Sequence, residues 1–176
     1  MTTDEQLVQD FQRGSSEAFT ELFRRYHERI FAFFRRRVND AGAAEDLAQE
    51  VFLGVLRGVT RYEPRAPFRS YLFGVAFNLL AAHRRKKPPG ENRTEEIPDP
   101  AGGGNLDAAL WMRQALNRLE DSAREILMLR EYEQLSYEDI AGLLHVPVNT
   151  VRSRLFRARL DLRALLAPPK TVTSDK

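Results

Sequence analysis

Residues 88–107 divide the chain before any helix is counted. The stretch holds four prolines (Pro88, Pro89, Pro98, Pro100) and four glycines (Gly90, Gly102, Gly103, Gly104), with almost no large apolar side chain. Its acids Glu91, Glu95, Glu96, Asp99 and Asp107 outnumber the single base Arg93. Proline lacks an amide hydrogen, glycine loses the most backbone freedom on ordering, and a segment with nothing to bury gains too little to fold. It therefore reads as a flexible acidic linker. Whatever lies on either side must fold around its own core. In a chain of 176 residues this leaves two small domains, residues 1–87 and 108–167, followed by a short polar tail over 168–176.

Both domains read as all-α. Leu7, Phe11, Phe19, Leu22, Phe23, Tyr26, Ile30 and Phe33 recur at the three- and four-residue spacing of a helix face. Gly14-Ser15-Ser16 punctuates the first two helices, with Ser16 expected as an N-cap. Asn39-Asp40-Ala41-Gly42 breaks the pattern again, before a periodic helix from about Ala43 to Val59. The two-proline loop Tyr62–Pro67 precedes a helix running from about Phe68 into the basic cluster His83-Arg84-Arg85-Lys86-Lys87. Helical periodicity returns from Ala108 to Leu166, and no strand pattern of any length interrupts it.

Composition excludes several classes of function. Apolar residues at 43% and charged residues at 30% describe a globular chain. No run approaches the roughly 20 apolar residues that span a bilayer, and the first residues lack a signal peptide's basic start and apolar core. A cytoplasmic protein without membrane insertion is expected. Cysteine is absent, which removes disulfides and thiol catalysis and leaves zinc only three histidines. Those three, His27, His83 and His145, are scattered. No phosphate-binding glycine loop appears, and Asp46 with Glu50 lacks a partner base. The expectation is no enzyme, no cofactor and no metal. The net charge of +2 with a pI of 9.1 conceals clustered bases, a pattern suited to nucleic acid.

The richest segment is Ser136–Arg163. Ser136 occupies an N-cap position with Asp139 three residues on, a variant of the capping box. Ile140, Ala141, Leu143 and Leu144 supply an apolar face, and His145-Val146-Pro147 ends that helix because proline cannot continue it. On the wheel of the next helix, Val148, Val151, Leu155, Ala158 and Leu162 share one stripe. Asn149, Ser153, Phe156 and Arg157 fall opposite, flanked by Thr150, Arg152 and Arg154. Two helices joined by a tight turn, the second presenting arginine, asparagine and serine, have the chemistry to read base edges in a major groove. A solvated basic face on a structural helix is the plain alternative.

The first domain offers two further faces. In residues 45–56, Leu47, Ala48, Val51 and Val55 turn inward on the wheel, whereas Asp46, Gln49, Glu50 and Leu53 turn outward. An exposed leucine rimmed by polar groups suits a protein interface. In residues 68–87, Leu72, Val75, Ala76 and Leu79 point inward; Asn78 lies with Tyr71 and Arg85 on one flank, and Phe77 with Arg84 on the other. Aromatics, an amide and terminal bases together can hold unstacked bases and their backbone.

The runs LSYEDIAGLLHVPVNTVRSRLFRARLDL (135–162), EDLAQEVFLGVL (45–56) and FRSYLFGVAFNLLAAHRRKK (68–87) resemble the extracytoplasmic-function (ECF) sigma factors, over about residues 4–166. The resemblance implies an initiation factor that lends promoter specificity to RNA polymerase. Its partners would be core RNA polymerase, promoter DNA and an anti-sigma factor. It implies −35 contacts from Asn149, Thr150, Arg152, Ser153, Arg154, Phe156 and Arg157. The −10 contacts would come from Tyr62, Phe68, Tyr71, Phe77, Asn78, Arg84 and Arg85, with the loop Tyr62–Pro67 shaping a pocket for one flipped base. Polymerase docking falls to Asp46, Gln49, Glu50 and Leu53. The chain departs from the family pattern at His145 and Asn149, where a small residue is usual, and at Tyr71, Phe77, Ala81 and Ala82. Promoter elements about 17 base pairs apart lie roughly 58 Å apart. Twenty extended linker residues reach about 66 Å, enough to join the two readers. A helix-turn-helix regulator that binds DNA without polymerase remains the alternative.

Overall fold

Side-chain caps mark the starts of four helices, at Thr3, Ser15, Asp40 and Ser136. The computed structural model describes residues 2–63, 65–86 and 106–167, which form eight α-helices and one 3-10 turn and contain no strand. The linker expected over 88–107 lies outside them except for its last two residues, as do Pro64, Lys87 and the tail 168–176. The chain divides into two units, Met1–Pro98 and Asp99–Lys176.

The first unit is a bundle of α1 (Asp4–Gln12), α2 (Ser16–Arg35), α3 (Ala41–Gly58) and α4 (Phe68–Lys86), with the 3-10 turn Val59–Arg61 after α3. Thr3 caps α1 through a reciprocal capping box with Gln6, and Asp40 caps α3 by accepting from the amides of Gly42 and Ala43. Ser15, not Ser16, caps α2: its hydroxyl accepts from Ala18 N at 3.2 Å. Gly14 before it sits at φ 102°, so the turn places the cap one residue earlier than spacing suggests. The core joins Leu22, Ile30, Phe33 and Phe34 of α2, Ala48, Val51, Phe52 and Val55 of α3, and Phe68, Leu72, Phe73, Ala76 and Leu80 of α4. Each such large side chain stabilises the fold by about 1.5–3 kcal/mol relative to exposure.

The buried arc of α4 differs from the wheel reading. Leu72 and Ala76 are buried as expected, but Val75 and Leu79 are only half-buried, and Phe73 and Leu80 take their place in the core. The Phe33 ring packs edge-on against Phe73 at 5.8 Å, which rotates α4 toward α2.

In the second unit α8 (Val148–Leu166) is the hub, packed by α5 (Leu106–Arg118), α6 (Asp121–Glu131) and α7 (Tyr137–Leu144). Leu116, Leu119, Ile126, Leu129, Leu135, Ile140, Val151 and Leu155 fill the space between them. Between α6 and α7, Gln134 takes a positive φ of 54°, and the Arg130 guanidinium donates to Leu135 O at 2.7 Å.

Candidate nucleic-acid and protein interfaces

The turn between α7 and α8 aims the longest polar face of the second unit. Ser136 and Asp139 complete the capping box in both directions: Asp139 N donates to Ser136 Oγ at 3.0 Å, and Ser136 N donates to the Asp139 carboxylate at 3.1 Å. An aspartate thus serves where glutamate is usual. His145 ends α7 at φ 53°, ψ 45°, the left-handed conformation that histidine tolerates better than most side chains. Pro147 then opens α8, its carbonyl accepting from Thr150 N and Val151 N.

Val151, Leu155 and Ala158 bury one stripe of α8. Asn149, Arg152, Ser153, Arg154, Phe156 and Arg157 are exposed and Thr150 is half-buried. Phe156 stands 64% exposed among them, an aromatic ring kept in water. Ser153 Oγ donates to Thr150 O at 3.0 Å, which leaves its lone pairs outward. Arg159 is spoken for: its guanidinium pairs with Glu131 of α6 at 2.7 Å, and that hydrogen bond raises its pKa further. No carboxylate among the described residues pairs with Arg152, Arg154 or Arg157. Three guanidiniums without internal counter-charges make this face attractive to phosphates and guanine edges.

On α4, Asn78 and Arg85 are exposed opposite the buried arc, and Tyr71, Phe77 and Arg84 are half-buried. Phe68 is corrected from the expected set: at 1% exposure it offers a base no surface. It lies beneath Tyr62 and Tyr71, 6.2 Å from each ring, with Tyr26 behind it at 5.9 Å. The two tyrosine rings lean together at 4.8 Å and 50°, and burial raises both phenol pKa values. Tyr62 donates to Ala66 O at 2.9 Å, folding the loop back on itself. Gly58 leaves room here, because a Cβ at that position would meet the Tyr71 hydroxyl at 2.9 Å and the ring would have to shift. The result is an aromatic wall at the start of α4, on the helix that also carries an exposed amide and a basic C-terminal end.

On α3, Asp46 and Gln49 are exposed and Leu53 is 43% exposed. Glu50 is half-buried and pairs with Arg57 at 3.2 Å, so its charge is shared within the helix. Sequence reading missed two neighbours. Leu56, 41% exposed, follows Leu53 by three residues and extends the apolar strip. Phe23 of α2 lies 4.7 Å from Phe52 and 4.7 Å from His27, with His27 Nε2 at 3.4 Å from Glu45. The spacing from Leu53 to Leu56 was readable; the α2 contribution needed the tertiary contact. On α5, Leu110, Trp111 and Met112 are exposed as well, Trp111 by 52%. The described residues contain no cluster of potential metal ligands and no helix long and apolar enough to cross a membrane.

These surfaces have counterparts among known proteins. Residues 22–88 match the family model described as Sigma-70 region 2, and residues 109–162 match Sigma-70, region 4. The RNA polymerase sigma-H factor of Pseudomonas aeruginosa is 35% identical over 182 residues, covering 94% of this chain and 94% of its own. The ECF RNA polymerase sigma-E factor of Escherichia coli is 33% identical over 174 residues, covering 89% of this chain and 91% of its own. The sigma factor RpoE of Bartonella quintana, solved with the anti-sigma factor NepR, superposes with a TM-score of 0.66 at 27% identity, covering 84% of this chain and 96% of that one. Region 2 coincides with the unit bearing α3 and the aromatic wall, and region 4 with the unit bearing α8. The chain belongs to the ECF sigma factors of the sigma-70 family, transcription initiation factors that bind RNA polymerase and promoter DNA and are not enzymes.

Proposed function

We propose that three faces divide the work of initiation. Asp46, Gln49, Glu50 and Leu53 of α3, extended by Leu56 and Phe23, dock on core RNA polymerase, with the leucines as anchors inside a polar rim. Asn149, Arg152, Ser153, Phe156 and Arg157 read the −35 element in the major groove, while Thr150 and Arg154 steady the helix against the backbone. Tyr62, Tyr71, Phe77 and Asn78 receive unstacked −10 bases, and Arg84 and Arg85 hold their phosphates. Phe68 supports that wall from beneath. The stretch 88–107 tethers the two readers, and the protein works in the cytoplasm, where polymerase is.

An anti-sigma factor is a further partner. The Bartonella quintana relative was solved with one, and both units here expose apolar side chains, Leu53 and Leu56 in the first and Leu110, Trp111 and Met112 in the second. Surfaces of that kind favour a covering protein when polymerase is absent.

The outward face of α8 carries this reading most strongly, with three arginines that pair with no carboxylate among the described residues and an aromatic ring 64% exposed. Docking is tested by titrating labelled protein with core polymerase. Asp46→Ala combined with Leu53→Ala is expected to weaken binding at least about tenfold with the helical signal unchanged. Parental affinity in the double variant removes this face from the interface.

A further inference from the structure

Gln12 ends α1, and neither periodicity nor motif marks it. Its side-chain amide donates to Val59 O at 2.7 Å and to Tyr62 O at 2.9 Å, across 47 and 50 residues of chain. These carbonyls bracket the 3-10 turn that leads from α3 into the loop bearing Tyr62. Val59 O already accepts from Tyr62 N at 3.1 Å, closing the 3-10 turn, so Gln12 adds a second donor there and a first contact at Tyr62 O; one primary amide has two hydrogens to give. Gln12 spends both on this turn.

The helix carrying Gln12 is itself fixed. The Tyr26 hydroxyl donates to the Asp4 carboxylate, Arg25 pairs with Asp4 at 2.8 Å, and the Phe11 and Phe19 rings meet at 5.0 Å. On the other side of the loop, Tyr62 leans on Tyr71, whose hydroxyl occupies the space left by Gly58. Tyr62 is therefore held from two directions, by Gln12 through its backbone and by Tyr71 through its ring.

We propose that Gln12 is a positioning residue for capture of the melted strand. By gripping Val59 and Tyr62 through their carbonyls, it sets the Tyr62 ring against Tyr71 and fixes the wall on which an extruded base rests. It touches no DNA. This inference depends on the strand-capture role assigned above to Tyr62 and Tyr71.

The test uses full-length protein assembled with core polymerase, on a promoter duplex that the parent selects from a randomised library. Gln12→Leu removes both donors, and Gln12→Glu replaces them with a carboxylate facing two carbonyls. Both are expected to slow promoter opening about tenfold, read by permanganate reactivity of −10 thymines, with core affinity and closed-complex formation unchanged. A general loss of structure is separated by coupling. Single abasic sites are placed through the −10 strand, and the penalty from Gln12→Leu is expected to vanish at one position, where the base that Gln12 helps to seat is already missing. If Gln12→Leu fails to fold, seen as lost core affinity, Gln12→Asn takes its place, with an amide one methylene too short to reach. Parental opening rates in the variants, or the same penalty at every abasic position, overturn the inference. A parent that binds polymerase yet opens no promoter overturns the underlying reading instead.

Discussion

The helices α8 and α4 carry the two faces proposed to meet DNA, yet their sequences speak with different clarity. In α8 the apolar stripe Val151, Leu155 and Ala158 is narrow, and Arg152, Arg154, Arg157, Arg159 and Arg163 are all exposed around it. In α4 the aromatics divide: Phe68 and Phe73 go to the core, Tyr71 and Phe77 lie half-buried at its edge, and Asn78 is exposed. The difference is one of cost. An unpaired guanidinium is expensive to bury, so the arginines of α8 report its outer face. An aromatic ring is stable in a core and useful on a surface, so its presence does not say which side it serves.

The comparison is broken most forcefully by exchanging phenylalanines for alanine on each side of it. Phe68→Ala, at 1% exposure, is expected to cost about 3–5 kcal/mol in chemical denaturation of the first unit. Phe156→Ala, at 64% exposure, is expected to leave stability within about 0.5 kcal/mol while reducing transcription. Equal stability losses would mean that exposure does not separate the two rings.

Next in size is Arg157. Arg157→Ala is expected to cost about 1–3 kcal/mol and to relax preference at one or two −35 positions, read by transcription from a library of −35 variants. Arg154→Ala, on the flank, is expected to weaken all sequences nearly alike, with a loss that shrinks as salt rises. Identical preferences in both variants and the parent would show that the reading face lies elsewhere on α8. A smaller effect is expected from Asn78→Ala, which should lower permanganate reactivity of −10 thymines several-fold while closed complexes form normally. In the proposed role its amide meets a base edge only after the strands part, so an equal loss in closed complexes would place Asn78 with the duplex readers.

Much of the fold was legible in local chemistry. Pro147 and Ser136 bracket a helix-turn-helix because each acts on its own neighbours, and His145 closes α7 in the left-handed conformation that histidine tolerates. The exposed side of α3 was legible for the same reason, with Asp46, Gln49 and Leu53 where the wheel puts them. What stayed hidden depends on partners distant in sequence. Phe52 is buried because Phe19 and Phe23 of α2 close over it, and Phe73 because Phe33 waits across the bundle. Gln12 belongs to the same class, since its acceptors lie some fifty residues away. The cap of α2 was misplaced by one residue because Gly14 at φ 102° shifts the turn, which spacing alone does not register.

The central claim is that one chain brings polymerase to DNA and reads that DNA at two separated elements. Its most direct measurement is transcription reconstituted from purified core polymerase, with and without this protein, on a template library randomised upstream of a fixed transcript. The expected result is transcription only when the protein is present, from templates enriched in two elements about 17 base pairs apart. Enrichment of a single palindromic site, bound equally well without polymerase and giving no transcript, would contradict the account and return the chain to the class of ordinary helix-turn-helix regulators.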